Sequence, residues 1–437
     1  MRTANPVKAV HRRQLSEVDP EVFEIIGREE QRQEQNLELI ASENIASTAV
    51  REATACVMTD KYAEGVPGKR YYGGCEHVDE AERLAISRVK EIFGSKYANV
   101  QPHSGAQANM AVYHAFMKPG DTLMGLALTD GGHLTHGSPV AFSGQMYNIA
   151  SYGLKDDETI DYDDVRAVAL AAKPQIIVSG ASAYSRAIDF AFFTKVAEEV
   201  GAIHMSDIAH YAGLIAGGVY PNPAGVAHII TSTTHKSLRG PRGGIILWDD
   251  KEYSKAIRMS VFPGLQGGPL MHVIAAKAVA FGLCLQPNWK EYAAQVKTNA
   301  QSLAAALGEE GFRIVSGGTD SHLMLVDVRP FGITGKVAEE ALDKANITTN
   351  KNTIPNDPEK PFVTSGVRLG TPAVTTRGMQ EPEMKEIASH IAEVLRHHED
   401  EDKIAAVKQK VITLCERFSI HGAQEDAHSV PSPLGEG

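Results

Sequence analysis

Residues 231–244 read TSTTHKSLRGPRGG and set one lysine, Lys236, beside His235, among small polar residues and two arginines, just after an apolar run. A lysine kept for structure leaves its ammonium in water, away from other cations. Desolvation and neighbouring positive charge both lower a lysine pKa and free the neutral amine to attack a carbonyl. Two more apolar runs end in polar groups: AIHMSDIAH carries Asp207 and then His210, and IIVSGASAY carries Ser182. Ligands of open α/β sheets bind beyond the carboxyl ends of the strands, so these clusters share one sheet edge. Singly, an aspartate after a strand is a cap and a lone histidine a satisfied structural group. Three together point to a site.

QPHSGAQANMAVYHAF places Ser104, Gly105 and Ala106 ahead of a helix. The free N–H groups and dipole of such a helix favour a phosphate, although Ser-Gly opens many helices that bind nothing. DGGHLTHGSP holds His133 and His136 in a glycine-rich loop. Histidines three apart can share a metal, but the glycines and the missing helical period favour a loop that lays an imidazole flat on a ligand. No metal is expected. A phosphate cradle, an acid for a ring nitrogen, a flat ring and a desolvated lysine together describe pyridoxal 5′-phosphate, held covalently as an imine on Lys236. Asp207 would keep the pyridine nitrogen protonated, so that the ring accepts electrons from a substrate's α-carbon.

These groups need a scaffold, and the chain of 437 residues is long enough for two domains. Its 43% hydrophobic and 22% charged residues are those of an ordinary globular protein, and a net charge of −11 argues against a nucleic-acid partner. No apolar run has the length of a membrane span, and Cys56, Cys75, Cys284 and Cys415 form no C-x-x-C pair, which suits a reduced cytoplasmic protein. Between residues 99 and 248 short apolar runs alternate with helical segments, predicting an α/β fold with a mostly parallel sheet covered by helices. The expected organisation is an N-terminal arm and helix (1–40), a large domain (41–285), a smaller α+β domain (286–424) and a disordered Pro/Gly-rich tail (425–437). Helices are predicted near Pro20–Gln35, from Asp79 with Leu84 on its apolar face, and near Met271–Leu285, Tyr292–Leu307, Gly335–Ala345 and Glu381–His397. The segment at 60–74, rich in Gly and Tyr, reads as a loop.

ELIASEN, KYAEGVPGKRYYGGCE, NVQPHSGAQAN, GGHLTHGSPV, TTHKSLRGPRGG, FPGLQGGPLMH and VTSGVRLGTPA occur in this order between about Leu37 and Pro372. Together they resemble the serine hydroxymethyltransferase family. The resemblance implies the fold type I architecture of pyridoxal-phosphate transferases, with a seven-stranded type of sheet. It also implies reversible transfer of the serine hydroxymethyl carbon to tetrahydrofolate, giving glycine and 5,10-methylenetetrahydrofolate. Lys236 would carry the cofactor, Asp207 would pair with the pyridine nitrogen and His133 would stack on the ring. Ser182 and His210 would lie near the phenolic oxygen, and Thr233, Tyr62 and a partner's Gly268 would complete the pocket. Ala106 stands where many members have serine. Arg368, with Ser42 and Tyr72, would take the substrate carboxylate; from its own surroundings Arg368 reads only as a surface residue in a turn. Glu64 is the acid/base candidate, a half-buried carboxyl among tyrosines, and His235 supports reaction specificity. Tetrahydrofolate contacts would be Leu128, Gly132, His133, Leu134, Asn352, Lys360, Pro361 and Phe362. Sites shared between subunits make the expected assembly at least a homodimer. The competing readings are an α-methylserine hydroxymethyltransferase and a threonine-aldolase-like enzyme.

Overall fold

The computed structural model describes residues 13–420, so the expected tail at 425–437 lies outside the described residues. Helix α1 (Pro20–Gln35) starts at a proline and is capped by Asp19, whose carboxylate accepts from the Val22 N–H at 3.1 Å. Helix α2 (Glu76–Phe93) begins one turn before the predicted Asp79. Asp79 is no cap: it is buried and binds Arg70 at 2.8 Å. Nor does Leu84 face the core. It is exposed, and the inner face carries Glu82 instead, held by Arg70 and Gln101.

Seven strands follow: β1 (Tyr97–Asn99), β2 (Thr122–Leu126), β3 (Asn148–Tyr152), β4 (Ile176–Ser179), β5 (Ile203–Asp207), β6 (Ile229–Thr233) and β7 (Gly244–Trp248). Helix α3 (Gly105–Phe116) comes between β1 and β2, α4 (Tyr162–Ala172) between β3 and β4, and α5 (Phe190–Val200) between β4 and β5. They form one sheet in the order β1-β7-β6-β5-β4-β2-β3. Strands β2 to β6 run parallel, and β7 is antiparallel to both its neighbours. Every residue of β4, β6 and β7 is buried, because helices cover both faces and leave no polar alternation to keep.

Helix α6 (Met271–Cys284) packs on α2, and α7 (Asn288–Glu309) then joins two cores. Its Trp289, Ala293 and Val296 pack with the large sheet, whereas Ala300, Leu303 and Leu307 pack in a second core. That core lies on an antiparallel sheet ordered β8 (Arg313–Ile314), β9 (Leu323–Asp327), β11 (Gly366–Gly370), β10 (Asn350–Asn352). Helices α8 (Gly335–Lys344), α9 (Glu381–Arg396) and α10 (Glu401–Arg417) complete it, together with Leu37 and Leu39 from the start of the chain. Helix α10 has no counterpart among the predicted elements. No helix among the described residues is long and apolar enough to cross a membrane.

Candidate active site

A cavity of about 250 Å³ opens at the carboxyl ends of β4, β5 and β6. Ser104, Gly105, Ala106, His133, Ser182, Asp207, His210, Thr233, His235 and Lys236 all line it. One end of it is the N-terminus of α3, where the Ser104 hydroxyl accepts from the Gln107 N–H at 3.1 Å. Gly105 is needed there for space, since a Cβ would stand 2.6 Å from the Thr233 methyl. The loop is braced from behind by Lys277. Its buried ammonium donates to the carbonyls of Val100 (2.7 Å), Pro102 (3.1 Å) and Gly244 (2.9 Å). Burial pushes Lys277 down to about 7, but with all three protons in use it is a brace and has no hand free for chemistry.

Lys236 sits in the turn after β6 and faces the cavity. Burial lowers its pKa to about 8; Asp207 opposes the shift, while Arg368 and Arg242 add to it. Asp207 ends β5. Burial would raise its pKa, but the hydrogen bond from His136, helped by that from Asn109, holds it well below the carboxylate range. The Asp207 Oδ2 takes His136 Nε2 at 3.0 Å and Asn109 Nδ2 at 2.8 Å. Its Oδ1 takes the Ala209 N–H at 3.1 Å and has a further lone pair for the cavity. Burial above all pushes His133 down to about 4, so its ring is neutral. His133, His136 and Asp207 bring a ligand atom each within 4.8 Å of one another, the reach of a metal site. His136 Nε2 is hydrogen-bonded to Asp207 and His133 Nδ1 to Thr135.

Arg368 lies on β11, opposite Leu325 of β9 and Asn350 of β10, and not in a turn. Its guanidinium donates to the Ser182 carbonyl at 2.7 Å and to the Asn350 side chain at 3.2 Å. Among the described residues it has no carboxylate partner, and burial lowers its pKa to about 10. A desolvated guanidinium without an acid is a ready seat for a ligand carboxylate. His210 is buried, with Nδ1 3.3 Å from Nε2 of His322, and burial pushes its pKa well down.

The remaining predicted residues lie elsewhere in the chain. Tyr62 and Tyr72 meet edge to face at 5.1 Å, and a Cβ on Gly268 would touch the Tyr62 ring. Glu64, half-buried, approaches Gly267. This loop is held by Arg70, which binds Asp79, Glu82 and the carbonyls of Ala63 and Gly65. None of Tyr62, Glu64, Tyr72 or Gly268 lines the Lys236 cavity. Ser42 lines a second cavity of about 720 Å³, which shares His235 and Arg242 with the first. Leu128 and Leu134 are exposed, Gly132 is buried, Asn352 is half-buried, and Lys360, Pro361 and Phe362 are exposed. The segment carrying the last three is organised by Asp357, which accepts from the Ile354, Glu359 and Ser365 N–H groups.

Sequence reasoning did not single out Asn109, Thr135 or Thr231. The available signal was a lone amide, Asn109, on the buried face of α3 among alanines and valine.

A lysine, an ionised aspartate and a helix N-terminus around one cavity, at the carboxyl edge of this seven-stranded sheet, define a fold type I pyridoxal-phosphate-dependent enzyme. The serine hydroxymethyltransferase family model matches residues 15–391, and the chain belongs to that family. Its activity is the reversible transfer of the serine hydroxymethyl carbon to tetrahydrofolate, a step of one-carbon metabolism that leaves glycine.

Proposed function

We propose that Lys236 holds the aldehyde carbon of pyridoxal phosphate, with the phosphate against Ser104, Gly105 and Ala106 and the pyridine nitrogen against Asp207. The observation that carries this is the single cavity in which a lysine lowered to about 8 shares the walls with an ionised carboxylate and a helix N-terminus. Bound there, the cofactor supplies an electron sink for the bonds at the substrate's α-carbon. His133 would stack on its ring and Ser182 and His210 would serve its phenolic side, while Thr233 and His235 line the cavity beside Lys236. Arg368, which has no acidic partner among the described residues, takes the substrate carboxylate, assisted by Ser42. Glu64 takes or gives the proton of the serine hydroxyl, with Tyr72 beside it. The apolar surfaces of Leu128, Leu134 and the 85% exposed Phe362 suit a flat folate ring, with Gly132, Asn352, Lys360 and Pro361 along its course.

The working unit is at least a homodimer. Tyr62, Glu64, Tyr72 and Gly268 cluster outside their own chain's Lys236 cavity, and the 720 Å³ cavity beside it provides room for another subunit's cluster. Borohydride reduction of the loaded enzyme followed by peptide mapping tests the anchor. The pyridoxyl label is expected on Lys236, and a label on Lys277 overturns the assignment.

A further inference from the structure

We propose that Asn109 is a positioning residue: one side-chain amide holds both the Asp207 carboxylate and the Thr135 hydroxyl that faces Nδ1 of His133. The proposal rests on the reading of this cavity as the cofactor site, and deepens it.

The direction of each hydrogen bond follows from its neighbours. The Thr231 hydroxyl donates to Asn109 Oδ1 at 2.6 Å, so that atom is the acceptor and Nδ2 carries the two protons. One goes to Asp207 Oδ2 at 2.8 Å and the other to the Thr135 hydroxyl at 2.9 Å. Thr135 Oγ1 accepts from Asn109 and lies 2.7 Å from His133 Nδ1; because a hydroxyl oxygen can accept twice, the direction of this second bond is settled by the backbone. The Thr135 backbone N–H points to the same nitrogen at 3.2 Å. His133 Nδ1 is therefore bare, and the proton of the neutral ring sits on Nε2. His136 is determined in the same way. Its Nδ1 accepts from the His133 N–H at 3.4 Å, so Nε2–H is the donor to Asp207 Oδ2. With Oδ2 taking two donors, Asp207 stays ionised and turns Oδ1 to the cavity.

Asn109 is 1% exposed and every polar atom of its side chain is used. No other described residue hydrogen-bonds to both the Asp207 and the Thr135 side chains. Two residues assigned different tasks, a ring-nitrogen partner and a stacking ring, thus answer to the same amide. Aspartate at position 109 would set a second carboxylate against Asp207, and alanine would release both arms.

Two measurements test this. In cofactor-free enzyme, ¹⁵N NMR of the imidazoles reads the His133 tautomer without reference to the cofactor. Wild type is expected to show Nε2–H alone. Thr135→Val removes only the His133 arm and should give mixed tautomers, whereas Thr135→Ser, which keeps the hydroxyl, should restore the single form. A His133 that carries its proton on Nδ1, or is unchanged in Thr135→Val and Asn109→Ala, overturns the proposal. In the second measurement, Asn109→Ala should weaken pyridoxal-phosphate binding by about tenfold to hundredfold, the usual range for losing a hydrogen bond to a charged group. Thr135→Val, with Asp207 still held, should weaken it less. Equal losses in both variants would sink the coupling through Asn109. Borohydride labelling of Lys236 in the same variants keeps the cofactor-site reading separate, because it reports the anchor whatever the His133 tautomer.

Discussion

Trace acetylation of the cofactor-free enzyme at a series of pH values, read by peptide mass, measures the Lys236 amine directly. Burial, with Arg368 and Arg242 adding to it against Asp207, brings this lysine from 10.5 to about 8. At pH 7 an amine of pKa about 8 is neutral in roughly one molecule in eleven, against about one in three thousand for an ordinary lysine. The reactive fraction is therefore raised about 300-fold. Labelling of Lys236 should climb through a midpoint near pH 8 as the proton leaves, well before the exposed lysines react. The neighbours set the sign of each perturbation. Arg368→Leu removes a cation and should move the midpoint up. Asp207→Asn removes the one group that favours the ammonium and should move it down. Lys277, with its three protons on backbone carbonyls, should stay unlabelled while the protein is folded. A Lys236 midpoint at or above about 10, or shifts of the opposite sign in the two variants, would refute the electrostatic account.

Lys277→Met leaves three buried carbonyls unpaired and should cost about 2–5 kcal/mol in urea unfolding; a loss below about 0.5 kcal/mol would show that the brace is dispensable. Glu64→Gln preserves shape but cannot carry a proton, so folate-dependent turnover should fall by about 10²–10⁴-fold while serine still shifts the visible band. Near wild-type turnover with the band shift lost would instead make Glu64 a support for the cofactor. Mixed oligomers of Lys236→Ala and Glu64→Gln chains should recover activity, because some sites regain both residues. No recovery in proven mixed dimers would count against sites built from two subunits.

The parts legible in the sequence are those written locally. Buried strands read as short, largely apolar runs, so β4 to β7 and the residues just beyond or at their ends, Ser182, Asp207 and Lys236, could be placed by spacing alone. Helix α1 matched its predicted span of Pro20–Gln35 because its proline and its Asp19 cap are neighbours in the chain. Ser104, Gly105 and Ala106 were likewise visible as a helix start, and motif resemblance added roles that no periodicity contains. Position 79 shows where local reading stops. An aspartate before an apolar face reads as the start of a helix, but Asp79 lies inside one that begins at Glu76, and its carboxylate is taken by a buried arginine nine residues earlier. Arg368 needed the pairing of β9, β10 and β11 before its guanidinium could reach the Ser182 carbonyl, 186 residues away. Lys277 and Asn109 also depend on partners far along the chain, Pro102 for one and Asp207 for the other. A buried polar side chain has no meaning until the fold brings the groups that satisfy it, because the cost of leaving it unpaired is set by the surroundings and not by its neighbours in the chain.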